Sequence, residues 1–192
     1  MRVFLTVLVL IFSFQFWIKA DDIKDFQLEG MSIGDSLLNH FSEEYIKNHS
    51  KYWWEDKKYF MVIGASPLFE TYEYMQFGLE NNDKNFIIQG ISGKILFEKD
   101  IKNCLKKKDE VVTELSNYFK NDIENIEEEI VEHQYDKSGK SKQYTSYVNL
   151  KSKNTIDVYC EDWSEKTELV TNFQVRILNK EFVEYLSTSA YK

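Results

Sequence analysis

Hydrophobic and polar positions change period repeatedly along this chain, and each change marks a different kind of element. Val3 to Phe14 is an almost unbroken apolar run. Beyond it, Leu37, Leu38 and Phe41 recur at helical spacing behind a Ser32-x-x-Asp35 capping pattern. Ser42, followed by Glu43 and Glu44, reads as a second N-cap with Tyr45 and Ile46 turned inward. Two short helices, or one kinked helix, are expected over residues 33 to 49. The period then falls from 3.6 to 2. Tyr59 to Ala65 is a strand candidate, Pro67 sits in the turn after it, and Tyr72 to Leu79 sets Met75, Phe77 and Leu79 against Tyr74, Gln76 and Gly78 on opposite faces. Glu80-Asn81-Asn82-Asp83-Lys84 reads as a hairpin loop and Phe86 to Ile91 as the returning strand.

Helical spacing resumes over about residues 98 to 120. It carries on through an acidic stretch, Ile123 to Glu132, where Ile123, Ile126 and Ile130 keep near-helical intervals. Asp136-Lys137-Ser138-Gly139-Lys140-Ser141 reads as a polar, solvated turn. Tyr144 to Lys151 and Thr155 to Asp162 form a second hairpin around Ser152-Lys153-Asn154. Asn172 to Leu178 alternates with Phe173, Val175 and Ile177 inward, and Lys180 to Leu186 closes as a short helix. Strands joined by short turns favour antiparallel pairing. The expected fold class is therefore α+β: a mainly antiparallel sheet of about six strands with helices packed on one face. Three strands then a helix occur twice, which would make two β-β-β-α halves, although residue identity between them is too low to assert a repeat.

The apolar run at the start matters for location. Arg2 supplies a short positive region ahead of it, Ile18-Lys19-Ala20 offers a small residue for cleavage, and Asp21, Asp22 and Asp25 follow at once. A bilayer core of about 30 Å needs roughly 20 apolar residues as a helix. This shorter run fits a secretory signal peptide over residues 1–20, leaving residues 21–192 as a single α+β domain in the periplasm or outside the cell. Phe16, Trp17 and Lys19 leave an uncleaved N-terminal anchor as the alternative, the one route by which the chain would meet a membrane. Losing Arg2 and Lys19 takes the formal net charge from −8 to −10. So acidic a surface repels phosphate backbones and anionic headgroups, which argues against nucleic acid as a partner.

Export also changes what the two cysteines mean. Cys104 falls on the helical stripe Ile101, Cys104, Leu105, Val112, Leu115, Phe119, and Cys160 shares a strand face with Ile156 and Val158. Both surfaces seek the core, and an even count in an exported chain suggests a disulfide. Two buried free thiols are the alternative reading.

Several motifs invite a catalytic reading and fail it. Gly34-Asp35-Ser36-Leu37 matches the nucleophile block of the Gly-Asp-Ser-Leu esterases, which use a late Asp-x-x-His as base. Here no histidine follows His133, and Ile130 occupies the required aspartate position. A serine without an orienting base is an ordinary hydroxyl. Ser138-Gly139-Lys140-Ser141 looks like the end of a phosphate-binding loop, but Gln134 stands where the first glycine is needed. His40, His49 and His133 lack metal-site spacing, and Asp136 and Asn81-Asn82-Asp83 fail the calcium-loop pattern. No catalytic set, metal or cofactor is expected. Tyr52-Trp53-Trp54 is the feature least explained by folding. Adjacent tryptophans in extended chain cannot both point the same way, so one can be core and the other exposed to stack on a sugar ring or anchor a partner; aromatic packing beneath a sheet edge is the alternative reading. Trp163 is expected in the core.

Three stretches together, Phe26 to Leu38 (Phe-Gln-Leu-Glu-Gly-Met-Ser-Ile-Gly-Asp-Ser-Leu-Leu), Asp136 to Ser141 and Cys160-Glu161-Asp162-Trp163-Ser164, resemble a family of small exported proteins of unknown function from streamlined marine bacteria. The resemblance implies a periplasmic setting and no activity. The Gly30-Met31-Ser32 opening is also similar to that of small periplasmic lipoproteins that assist outer-membrane assembly, whose lipid-bearing cysteine this chain lacks. The sequence thus points to a soluble periplasmic or secreted binding protein whose partner is an envelope protein or small molecule. A cell-envelope hydrolase acting on sugars or peptides is the alternative.

Overall fold

In the computed structural model, residues 23–190 are described; the apolar leader expected to direct export lies outside them. All strands belong to one antiparallel sheet, built from β1 (Ser50–Lys51), β2 (Tyr59–Ala65), β3 (Tyr74–Glu80), β4 (Ile88–Leu96), β5 (Ile123–Glu132), β6 (Lys142–Leu150), β7 (Thr155–Asp162) and β8 (Asn172–Leu178). Their order across the sheet is β1-β2-β3-β4-β8-β7-β6-β5. Two four-strand meanders are therefore joined along β4 and β8, and each is followed by a helix: α2 (Ile101–Tyr118) and α3 (Lys180–Thr188). A six-residue helix, α1 (Glu43–Asn48), and a 3-10 turn at Leu37–Asn39 precede the sheet.

One face carries the main core. Phe60 and Val62, Phe77 and Leu79, Phe173, Val175 and Ile177, Ile156 and Val158 alternate onto it and are buried. Over the second half lies α2, presenting Cys104 and Leu115 and followed by its C-cap Phe119; the chain from Ile23 to Ile46, with Leu37 and Phe41, covers the first. Capping follows the residue chemistry: Asp100 accepts from Asn103 N at the start of α2, and Ser42 accepts from Tyr45 N at the start of α1. The Cys104 and Cys160 side chains meet as a disulfide linking helix to sheet.

The structure differs from the pattern-based reading in four places. The described residues form eight strands rather than about six, because Ser50–Lys51 is too short to signal itself and residues 123–132 form β5 rather than prolonging the helix. As an edge strand with almost every side chain exposed, β5 needs no alternation. Its isoleucines fall at helical intervals without any helix to serve. Ser32 does not cap a helix; its backbone N–H donates to Asp35 Oδ2 at 2.8 Å, and Ser36 caps the 3-10 turn instead.

Last, the helices do not share one face. Across the sheet from α2, α3 lies against a second, smaller core of Trp54, Tyr59, Met61, Leu178, Phe182 and Tyr185. Phe182 drops into a dimple where Gly78 and Gly90 stand side by side on β3 and β4. A Cβ on Gly78 would come within 2.5 Å of the Phe182 ring, and one on Gly90 within 2.7 Å. Burying such a ring stabilises by roughly 1.5–3 kcal/mol. Tyr185 secures the other end of the helix by donating its hydroxyl to Asp56 Oδ1 at 2.6 Å, and that hydrogen bond holds the Asp56 carboxyl below its usual range.

Candidate functional site

Beyond α3, the face of the sheet opposite α2 is open, and strand register determines what it displays. Ile63, Gln76, Ser92, Arg176, Asp157 and Tyr147 lie in one row across β2, β3, β4, β8, β7 and β6. The next row brings Tyr74, Lys94, Gln174 and Tyr159 together. Beyond it come Leu96, Asn172 and Glu161. Alternation that sends Phe173, Val175 and Ile177 into the core thus leaves Asn172, Gln174 and Arg176 on the floor of this second face.

These floor groups bind one another. Arg176 Nε donates to Asp157 Oδ2 at 2.9 Å, and Nη2 donates to the same oxygen. Asp157 is almost wholly buried, and its other oxygen, Oδ1, has no partner among the described residues. Tyr159 donates its hydroxyl to Gln174 Oε1 at 2.8 Å, Gln174 Nε2 donates to Asn172 Oδ1 at 2.9 Å, and Asn172 Nδ2 donates to Glu161 Oε2 at 3.0 Å. Glu161 also faces His133 Nε2 at 3.4 Å, and the His133 ring packs on Trp163 with centroids 4.0 Å apart. Burial pushes the Tyr159 phenol well above its usual pKa, so it stays a donor at any physiological pH. The Arg176 guanidinium is held in its charged form by Asp157 against the cost of burial.

Two depressions occupy this face and share Gln76. A groove of about 380 Å³ runs over Gln76, Lys94, Asn172 and Glu161, with Tyr74, Leu96, Leu169, Val170 and Trp163 along its sides. Tyr74, Leu96, Leu169 and Val170 are exposed, so the groove has a polar floor and an apolar rim. A smaller pocket of about 90 Å³ lies toward α3, between Trp53, Met61 and Leu186 on one side and Ser92 and Arg176 on the other.

The tryptophan pair divides as its backbone requires. Trp54 is 7% exposed and packs edge-on against Phe182 and Tyr185, whereas Trp53 is 52% exposed at the mouth of the small pocket. Tyr52 is exposed and tilts against Phe60, away from that pocket. Cys104 and Cys160 sit in the main core as the disulfide between helix and sheet. Trp163, expected in the core, is half-buried beside the groove. Ser36 donates its hydroxyl to Asn85 O at 2.5 Å.

The Asp136-to-Ser141 turn is more than a solvated loop. Asp136 Oδ2 accepts from Ser141 N, Ser141 Oγ and Ser164 Oγ, and Oδ1 accepts from Ser138 N. These hydrogen bonds, Ser141's foremost, hold its carboxyl far below the usual range. The Asp136-to-Ser141 turn and Ser164, the residue after Trp163, are therefore tied together. Among the described residues no three His, Cys, Asp or Glu side chains gather as a metal site, and no helix is long and apolar enough to cross a membrane.

Sequence reasoning missed Arg176, Asp157, Tyr159, Tyr74 and Leu169. A signal for the first three was present: strands with apolar residues at every second position carried Asp157, Tyr159, Glu161, Asn172, Gln174 and Arg176 in between. Arg176 is also the only arginine after Arg2, against 22 lysines. Compared with family models, curated proteins and solved structures, the chain matches none.

Proposed function

We propose that this is a non-catalytic binding protein of the periplasm or secreted fraction, and that it takes its partner on the open sheet face. The observation that carries this reading is the groove with a hydrogen-bonded polar floor and the exposed rim of Tyr74, Leu96, Leu169 and Val170. Apolar side chains gathered around a concavity, rather than scattered, mark surfaces that gain from being covered. The floor favours recognition over chemistry, because Glu161, Asn172, Gln174 and Tyr159 already satisfy one another. The acidic surface, at formal charge −8 for the whole chain, argues against nucleic acid as the partner.

Photo-crosslinking tests this in a cell that exports the protein. With p-benzoylphenylalanine in place of Tyr74, one discrete adduct is expected; Leu169→Glu should abolish it, and the same probe at Lys106 on the outer surface of α2 should give none. Equal adducts from both positions would refute the proposal. The second reading, an envelope hydrolase, draws on Glu161 and Glu168 both lining the groove. Turnover of chromogenic glycosides or peptides that disappears in Glu161→Gln would establish it instead.

A further inference from the structure

The small pocket beside α3 holds hydrogen-bond donors that the protein does not use. Arg176 spends Nε and one Nη2 hydrogen on Asp157 Oδ2. Among the described residues its outer edge, Nη1 with the second Nη2 hydrogen, has no acceptor. Its side chain is 38% exposed, and that exposure opens into the pocket. Ser92 is its cross-strand neighbour on β4, is more than nine-tenths buried, lines the same pocket, and its hydroxyl has no partner among the described residues. Gln76, next in the row on β3, likewise leaves its amide unbonded there. Three donor-bearing groups thus converge on one small space, where a ligand acceptor would replace water as their partner.

The opposite wall is apolar: Trp53, Trp54, Met61 and Leu186. The choice of arginine reinforces the point. In a chain with 22 lysines, the only arginine besides Arg2 stands here. Its planar fork presents two parallel N–H groups on each edge, which lysine cannot do. One edge is fixed by Asp157, so the other is held in place before any ligand arrives.

The geometry points to a carboxylate-binding pocket: the free edge of Arg176, with Ser92 and Gln76, takes the carboxylate of a short aliphatic acid whose carbon chain lies against Trp53, Met61 and Leu186. The ligand is an anionic acceptor because the free edge of Arg176 is charged and donates only, while Ser92 and Gln76 can each add a donor, and it carries a small apolar substituent because the remaining lining is apolar. The acid is either free or the C-terminal residue of a peptide; the chemistry is the same. This rests on the open face being a binding surface and names what one end of it recognises.

The test uses the full chain, which has two arginines, so Arg176 Nε–H is one of only two such NMR signals and Arg176→Lys assigns it by removal. Sodium isobutyrate should shift that signal and the Trp53 indole signal saturably; isobutyramide, of the same shape but uncharged, should not. Arg176→Lys keeps a cation beside Asp157 and should weaken isobutyrate at least tenfold, with Ser92→Ala weakening it a few-fold. N-acetylvaline reports the source: tighter binding than isobutyrate indicates a peptide C-terminus, equal or weaker binding a free acid. No saturable shift, equal response to acid and amide, or undiminished binding in Arg176→Lys overturns the assignment. If isobutyrate fails while the Tyr74 crosslink persists, the carboxylate pocket alone falls; if both fail, the binding-face reading falls with it.

Discussion

Placing an alanine at Gly78 tests how α3 is held on the sheet. Its Cβ would lie 2.5 Å from Phe182 Cε1 and 2.9 Å from Cζ, whereas carbon atoms pack at about 3.5–4.0 Å. The ring must therefore retreat by about 1 Å, and it is clasped by Trp54, Tyr59 and Gly90, so the retreat lifts α3 itself. Overpacking of this kind costs about 1–3 kcal/mol. Phe182→Leu removes the Cε and Cζ atoms that collide. In that background, Gly78→Ala should cost nothing, or stabilise by about 0.5 kcal/mol, because alanine loses less backbone freedom than glycine on folding. Urea denaturation of the four proteins, followed by far-UV circular dichroism, gives the cycle directly. A coupling energy of about 2 kcal/mol is expected. If Gly78→Ala is equally costly with Phe and with Leu at 182, the glycine serves the strand and not the helix.

Three further outcomes follow from the same structure. Replacing Cys104 and Cys160 by alanine frees a loop closed across 56 residues; the chain-entropy relation gives about 4 kcal/mol lost, read as a lower urea midpoint and a steeper slope from a more expanded unfolded state. Asp136 is depressed from 3.8 in the folded protein, so its contribution is fully present above about pH 4 and is lost as pH falls below that toward the depressed value. The difference in Tm between the native chain and Asp136→Asn should accordingly be flat at neutral pH and shrink in acid. Arg176→Met should cost about 3–5 kcal/mol by leaving a buried carboxylate unpaired; Asp157→Asn should cost less, because Arg176 keeps access to water, and denaturation midpoints that reverse this order would refute the assigned burial.

Much of the framework was legible from period alone. Alternating residues located β2, β3, β7 and β8 nearly to their ends, and the helical stripe through Cys104 identified both the buried face of α2 and its tether. Failures came where burial on one face stops dictating the pattern. In β5, partners such as Tyr147, which donates to Glu129, and Asn149, which donates to Asn125, hold the strand by cross-strand polar pairs that leave no hydrophobic period. The placement of α3 depended on Gly78 and Gly90 being side by side, a fact of register between strands. Arg176, Ser92 and Gln76 come from three strands, and nothing local says that residue 176 neighbours residue 92. A binding surface on a sheet is written across the chain, and a linear reading sees only its single letters.

The seam between β4 and β8 sets the order in which the molecule can be assembled. Its paired residues are 76 to 88 positions apart, from Leu96 with Asn172 to Gly90 with Leu178. The first meander, residues 50–96, can form while its inner strand still shows an unpaired edge, because the partner strand is supplied only by residues 172–178. Contacts at such separation slow folding, and a waiting strand edge is an invitation to other chains. Cells making this protein must carry it through that interval, so truncations before residue 172 should aggregate even though they contain all of the first half.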